Sequence, residues 1–362
     1  MASGCKSIGV QLMSKGDASI EIRDLYKIFG PAPKKHIDAV KNGLSKTELG
    51  KTHAHILGLN NINISMPAGK IQVVMGLSGS GKSTLIRHIN RLIEPTSGSI
   101  TIDGRNVLEL SELELRDFRR NSTAMVFQRF ALLPHRTVID NVTFGLEIRG
   151  IDAAKSRDIG MRWIDRVGLV GFEHRYPHEL SGGMQQRVGL ARALSNDASI
   201  LLMDEAYSAL DPLIKADMQT MLLELQSELK KTIVFITHDF DEALRLGDRI
   251  VILRDGSIIQ QGDAQDILLR PADDYITRFI KDVNRGRFVK VDAVMDVAPK
   301  SAKSSLPQLK SGTTLEVAAK ELTSSTSDEA FIVDENGRTL GLISLRQITS
   351  ALSSAVEVRS ER

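Results

Sequence analysis

At 362 residues the chain can hold one large domain with a small companion, or two of middling size. Its 42% hydrophobic and 25% charged residues suit a protein that buries a real core. Forty-seven basic against 45 acidic residues leave a net charge of +2, which excludes the strong basic excess of a general nucleic-acid binder but not a local basic patch.

The opening MASGCKSIGVQLMSKGDAS has no apolar core of signal-peptide length, and Cys5 lacks the apolar residues that precede a lipidated cysteine. As the single cysteine, Cys5 allows no internal disulfide, which suits a reducing compartment, and it reads as inert. Residues 1–17 read as a disordered tail. No apolar run approaches the ~20 residues a bilayer-spanning helix needs, so work at a membrane is expected to pass through a partner.

A strand is predicted at residues 20–25, running into YKIFG and so to Phe29. Residues 31–57, with Pro, Gly, five lysines and three histidines, break the pattern and read as a partly helical insertion. Strands are then expected near 60–65 and 72–75, a helix over 82–92, a turn at EPTSG and a strand in SITIDG. From about 109 to 195 the pattern is mostly helical, with Trp163 among apolar positions at helical spacing. Alternation resumes with ASILLMDEA, a helix over 213–229 and TIVFITH. RIVILRDG and SIIQQG predict a hairpin about Asp255-Gly256. Unbroken apolar strands such as SILLM and TIVFI among helices predict a mainly parallel sheet covered on both faces, with the helical stretch inserted as a subdomain. A boundary falls near 283–288. The C-terminal part carries the Ser/Lys-rich PKSAKSSLPQLKSG, then helix, strand, turn at Asn336-Gly337, strand and helix.

GLSGSGKS, made of Gly76, Leu77, Ser78, Gly79, Ser80, Gly81, Lys82 and Ser83, matches G-x-x-x-x-G-K-[ST] between an apolar strand and an apolar-periodic helix. The glycines let successive N–H groups turn toward phosphate oxygens at a helix N-terminus. Lys82 neutralises the terminal phosphates and the Ser83 hydroxyl is a ligand for Mg2+, with Thr84 a secondary candidate. This loop alone does not separate kinases, GTPases and ATPases. ILLMDE places Asp204 and Glu205 at the carboxyl end of a buried strand, where open α/β sheets bind ligands. There Asp204 can hold the Mg2+ water shell and Glu205 can polarise the attacking water.

LSGGMQQRVGLARAL, residues 180–194, resembles the signature sequence of ATP-binding cassette (ABC) ATPases. Ser181, Gly182 and Gly183 open a helix whose N–H groups form a second anion site, with Gln185 in the first turn. The resemblance implies that two cassettes pack head to tail and that the signature of one completes the site of the other. It covers about residues 18–282 and implies roles for further residues. Phe29 would stack on adenine, and Gln128 of MVFQRF would reach the metal and water. Ser208-Ala209-Leu210-Asp211 would cross the dimer contact, and His238 would touch the terminal phosphate. The implied fold is the P-loop NTPase ABC cassette: a RecA-like, mainly parallel α/β core, a helical subdomain and an antiparallel β part. The cassette is expected over 18–285, with a small C-terminal α+β unit over 286–362.

GLSGSGKSTLIRHINRLIEPTSGSITIDG, the 31–57 insertion and DEAYSALDPLIK resemble the ATPase subunit of osmoprotectant importers, which take up glycine betaine, proline betaine, choline or related quaternary amines. Most importer cassettes carry Pro after the catalytic Glu; here Ala206-Tyr207 follows, as in this branch. The resemblance implies ATP and Mg2+ as cofactors and a second copy of the chain, integral-membrane permease subunits and a periplasmic or lipid-anchored binding protein as partners. It also implies a place at the cytoplasmic face of a bacterial inner membrane, and no nucleic acid. Residues 286–362 resemble a single CBS-type unit, clearest over 313–352, where such importers often carry a tandem pair, so the chain looks shortened. Sensing of ionic strength or a nucleotide, and a dimerising or vestigial appendage, both stay open. Ten basic and ten acidic residues in that stretch give no net cationic field. A soluble ABC protein of DNA repair or translation would bring a coiled-coil insertion or two cassettes, and neither is present. A kinase or GTPase would leave LSGG unexplained, and no Asn-Lys-x-Asp guanine reader occurs.

Overall fold

A computed structural model describes residues 18–128, 130–297, 306–325 and 327–353. The tail 1–17 with Cys5, and part of the Ser/Lys-rich stretch, lie outside the described residues. The chain divides into two compact units. The first comprises Met1–Gln72, Leu77–Thr237 and Arg254–Ser257, and the second Val73–Gly76, His238–Leu253 and Ile258–Arg362.

In the first unit an antiparallel sheet runs in the order Ile56–Met66, Ile20–Phe29, Ser97–Ile102, Arg105–Asn106. Ile20–Phe29 extends beyond the predicted strand because it pairs on both sides, Ile22 facing Ile64 and Ile100. Its Ile20, Ile22, Leu25 and Ile28 are buried. A bulge at Asp24, with φ 47°, resets that alternation midway.

A parallel ladder carries Thr123–Phe127, Ile200–Asp204 and Thr232–Thr237. Every residue of the last two is buried, as expected for strands covered on both faces. The stretch 109–195 is mostly helical as expected, but the strand Thr123–Phe127 lies within it. TAMVF is too short to show a period of its own, and its pairing with Ile200–Asp204 makes it a strand. Phe127 pairs with Asp204, so Gln128 and Glu205 leave adjacent strands in step.

The helices Val138–Ile148, Ala153–Arg166 and Gly182–Ser195 enclose Val138, Ile139, Val142, Ile164, Val188 and Ala191, with Trp163 packed against them. Fully burying each such aliphatic side chain stabilises by roughly 1.5–3 kcal/mol. Gly160 lets two of the helices close up, since a Cβ there would lie 2.6 Å from Thr143 Cγ2 and 2.7 Å from Ile139 Cδ1.

The insertion holds a short 3-10 turn at Pro33–His36 and helices Ile37–Lys41 and Lys46–His53, the last opened by a Ser45/Glu48 capping box. Val40 and Leu49 tie it to Tyr26, Ile28 and Leu57 of the antiparallel sheet. The helix after the glycine-rich loop, Lys82–Ile89, stops short of residue 92. Arg119 donates to the carbonyls of Asn90 (2.9 Å) and Arg91 (2.5 Å), and Arg91 turns left-handed at φ 52°.

Arg249–Arg254 and Ser257–Gly262 form the hairpin expected about Asp255-Gly256. The C-terminal part of the second unit holds a three-stranded sheet in the order Gln308–Lys310, Glu329–Val333, Thr339–Ser344. Helices Leu315–Thr323 and Leu345–Ser353 accompany it. The first pair of strands is parallel and the second antiparallel. Among the described residues, no helix is long and apolar enough to cross a membrane.

Candidate nucleotide site

Gly76, Gly79 and Gly81 take φ values of 149°, 78° and 104°, a backbone side-chain-bearing residues adopt at a cost. At Gly81 space is lacking as well, since a Cβ would lie 2.7 Å from the carbonyl oxygen of Gly58. Leu77, Ser78 and Gly79 are exposed while Ser80 and Lys82 are buried, so the loop is open outward and anchored inward. Gly256 N–H donates to the Ser80 carbonyl at 3.0 Å, and the Ser80 hydroxyl is buried with no hydrogen-bond partner.

Lys82 is 4% exposed; its ammonium donates to the Leu77 carbonyl at 3.1 Å and stands 3.6 Å from Glu205 Oε1. Burial pushes that ammonium below its usual value, with the carboxylates of Glu205 and Asp204 opposing. Ser83 Oγ donates to Asp204 Oδ1 at 2.8 Å, and Arg87, one turn further along the helix, puts its guanidinium 3.6 Å from Asp204 Oδ2. The parallel ladder thus delivers Asp204 and Glu205 to the N-terminal turn of the helix that begins at Lys82. Arg87 lies outside the loop motif; its spacing of four from Ser83 places both on one helix face.

The Gln128 amide lies 3.3 Å from both Glu205 Oε2 and Ser208 Oγ, and Ser208 in turn donates to the Glu205 carbonyl at 2.9 Å. Gln128 therefore joins Glu205 rather than the Ser83–Asp204 pair, whereas the sequence resemblance implies that it reaches the metal. Glu205 itself holds φ 48°, with its N–H on the Ile236 carbonyl at 3.1 Å. Tyr207 anchors the following loop: it is 1% exposed and its ring lies 5.5 Å from that of Phe235. His238, in the second unit, is exposed immediately after Thr232–Thr237. Thr84 is half-buried, and its carbonyl accepts from His88 Nδ1 at 2.6 Å.

Phe29 ends its strand 37% exposed, with the Lys27 ammonium 5.0 Å from its ring centroid. The ring rests on Gly58, where a Cβ would fall 2.6 Å from it. Ser181 caps the helix Gly182–Ser195 by accepting from Met184 N–H at 3.3 Å. Ser181 and Gly182 are exposed. Gly183 is buried against the helix Pro212–Leu229, and a Cβ on it would sit 2.6 Å from Ile214 Cγ2. Gln185 is half-buried, and its amide donates to the Leu180 carbonyl at 3.1 Å. Asp211 caps Pro212–Leu229 through Ile214 N–H at 3.1 Å.

Further along the signature helix, Arg192 donates to the carbonyls of Ala131 at 2.7 Å and Phe130 at 3.2 Å. Both residues are left-handed, at φ 48° and 49°. Nothing local in the sequence signals this grip, because the partners lie about 60 positions away.

Chemically, a buried cation, a buried carboxylate paired with a hydroxyl, and a second carboxylate with an amide beside it converge at one helix N-terminus. The set suits a polyphosphate and a hard divalent cation. Among the described residues no group of three or more His, Cys, Asp or Glu could hold a metal ion.

A family model described as "ABC transporter" matches residues 59–208. The chain is 51% identical over 276 residues to the glycine betaine transport ATP-binding protein OpuAA of Bacillus subtilis, covering 76% of this chain and 66% of that protein. It is 45% identical over 339 residues to the glycine betaine/carnitine transport ATP-binding protein GbuA of Listeria monocytogenes, covering 94% and 84%. With the trimethylamine N-oxide transport system ATP-binding protein TmoW of Pelagibacter ubique it shares 45% identity over 327 residues, covering 90% and 95%. A dimeric ATP-binding cassette solved in a post-hydrolysis state with ADP and Pi superposes with a TM-score of 0.58 at 31% identity, covering 67% of this chain and 98% of that one.

Proposed function

The chain belongs to the ABC transporter ATP-binding proteins, and from that premise we propose that it binds and hydrolyses ATP to power import of glycine betaine, proline betaine, choline or a related small methylated amine. The observation that carries this reading is the convergence of Lys82, Ser83, Asp204 and Glu205 at the loop, with Ser83 on Asp204 at 2.8 Å and Lys82 beside Glu205 at 3.6 Å.

In this reading the N–H groups of residues 77–83 and the Lys82 ammonium hold the β- and γ-phosphates. Ser83 and Asp204 would hold Mg2+, which supplies charge neutralisation on the phosphate oxygens when bound. Glu205 orients the attacking water and takes its proton, with Gln128 on its carboxylate and Ser208 on its backbone carbonyl. His238 would contact the γ-phosphate and Phe29 would stack on adenine. The exposed Ser181 and Gly182, with Gln185 and Asp211, would close over the nucleotide of a second, head-to-tail copy, which supports a shared site. Membrane permease subunits, and through them a substrate-binding protein, would hold the dimer at the cytoplasmic face of the membrane. The C-terminal unit would act as a CBS-like regulatory or dimerising element.

Glu205→Gln should keep ATP affinity, lower turnover at least a hundredfold, as expected for loss of a general base, and accumulate an ATP-bound dimer. ATPase assay and size-exclusion chromatography check this; wild-type turnover would remove Glu205 from the role. Uptake in vesicles containing the permease, comparing glycine betaine, choline, proline betaine and trimethylamine N-oxide under rising ionic strength, tests the cargo.

A further inference from the structure

The insertion closes on itself through one side chain. His55 is 6% exposed, and both ring nitrogens face carbonyl oxygens: Nδ1 lies 2.6 Å from that of His53 and Nε2 2.7 Å from that of Pro31. A carbonyl oxygen only accepts. A neutral imidazole carries hydrogen on one nitrogen, so it can satisfy one of these oxygens and must present a lone pair to the other. Both contacts are made when both nitrogens carry hydrogen.

The ring lies on the turn that leaves the antiparallel sheet. Gly30 has φ +142°, and a Cβ there would be 2.3 Å from His55 Cδ2. Phe29 and Ile56 form the last rung of their ladder, so Gly30 and His55 are the next residues on either side of it. What holds Gly30 and Pro31 therefore also holds the end of the strand from which the Phe29 ring projects.

We propose that His55 is a positioning residue for the nucleotide base. Its ring, held between the carbonyls of Pro31 and His53, locks the turn Gly30–Pro31 and so fixes the Phe29 ring. This rests on the reading that Phe29 stacks on adenine.

The neighbouring side chains leave both carbonyls to this ring. His36, from the 3-10 turn, has its ring 4.4 Å from those of both His53 and His55. Burial, then His53, His55 and the Lys35 charge, push His36 below the ordinary histidine value. Glu48, the acid on helix Lys46–His53, is turned onto Ser45, and Lys46 of that helix reaches Asp255.

The test compares binding of Mg-ATP and of inorganic tripolyphosphate to the full chain by calorimetry. His55→Phe keeps an aromatic ring but neither ring nitrogen. It should weaken ATP by roughly fivefold or more, the size of one lost hydrogen bond, and leave tripolyphosphate unchanged. His55→Gln, which keeps one donor group, should fall between. Equal loss of both ligands, or an unchanged ATP affinity in His55→Phe, would overturn the proposal. Phe29→Ala separates it from its premise. If Phe29→Ala leaves ATP binding intact, the adenine platform is wrong and the proposal falls with it. If Phe29→Ala weakens ATP while His55→Phe does not, the platform stands and the role of His55 falls.

Discussion

His88 sits in the helix behind the glycine-rich loop with no exposure, Nδ1 donating to the Thr84 carbonyl and Nε2 buried without a partner. Desolvation lowers its pKa from 6.5 to about 4, against the opposing Thr84 hydrogen bond, with the Lys27 charge adding to the drop. The folded value lies below the unfolded one, so the unfolded chain takes up the proton more readily. The contribution to stability is therefore complete above pH 6.5 and is lost as pH falls through 4. At ~1.4 kcal/mol per pH unit, the span from 6.5 to about 4 is worth about 3 kcal/mol in all, and about 2.5 kcal/mol of it is lost between pH 7 and 4.5. His88→Leu removes the titration while keeping an apolar occupant. Urea unfolding, followed by the fluorescence of the single tryptophan, Trp163, should show the parent losing about 2.5 kcal/mol more than His88→Leu over that pH interval. Equal acid losses in the two proteins would refute the reasoning, because His88 would then be titrating alike folded and unfolded.

Asp204→Asn keeps the shape at Ser83 and Arg87 but removes the charge. ATP affinity measured with Mg2+ should fall roughly tenfold or more, while affinity in EDTA should barely change, since charge-assisted contacts are worth ~1.5–3 kcal/mol. Gly183→Ala places a methyl 2.6 Å from Ile214 Cγ2 and should destabilise by about 1–3 kcal/mol in a denaturant titration. Adding Ile214→Ala should show coupling, the double variant losing less than the sum of the singles; strict additivity would mean that the two helices do not press together there.

The phosphate loop was legible because its chemistry requires a contiguous string: glycines for the turn, then Lys82 and Ser83 at the helix start. Asp204 and Glu205 were legible because a buried strand must end where polar residues begin. Thr123–Phe127 was not, since five residues with no period become a strand only through their pairing with Ile200–Asp204. The early end of the helix at Ile89 was also hidden, being fixed by Arg119 from about thirty residues away. Ala206-Tyr207 was noticed only as a departure from most importer cassettes. Its physical content, a phenol ring wedged beside Phe235 under the loop that carries Glu205 and Ser208, needed the fold. His55 was obscured by company, because a histidine in a lysine-rich insertion reads as solvated.

The grip of Arg192 on Phe130 and Ala131 has a mechanical consequence. Two successive left-handed residues with side chains oppose their own preferences by roughly 1–2 kcal/mol each, so the segment would relax if released. It is kept taut by a guanidinium on the same helix that opens with Ser181 and Gly182. Hydrogen bonds of 2.7 and 3.2 Å tolerate only a few tenths of an ångström before they weaken. Any larger excursion of that helix must either drag the segment along or let it spring back. Gln128, whose amide lies 3.3 Å from Glu205, stands two positions before that segment in the sequence, so the helix that opens at Ser181 takes its grip close in the chain to the amide beside Glu205.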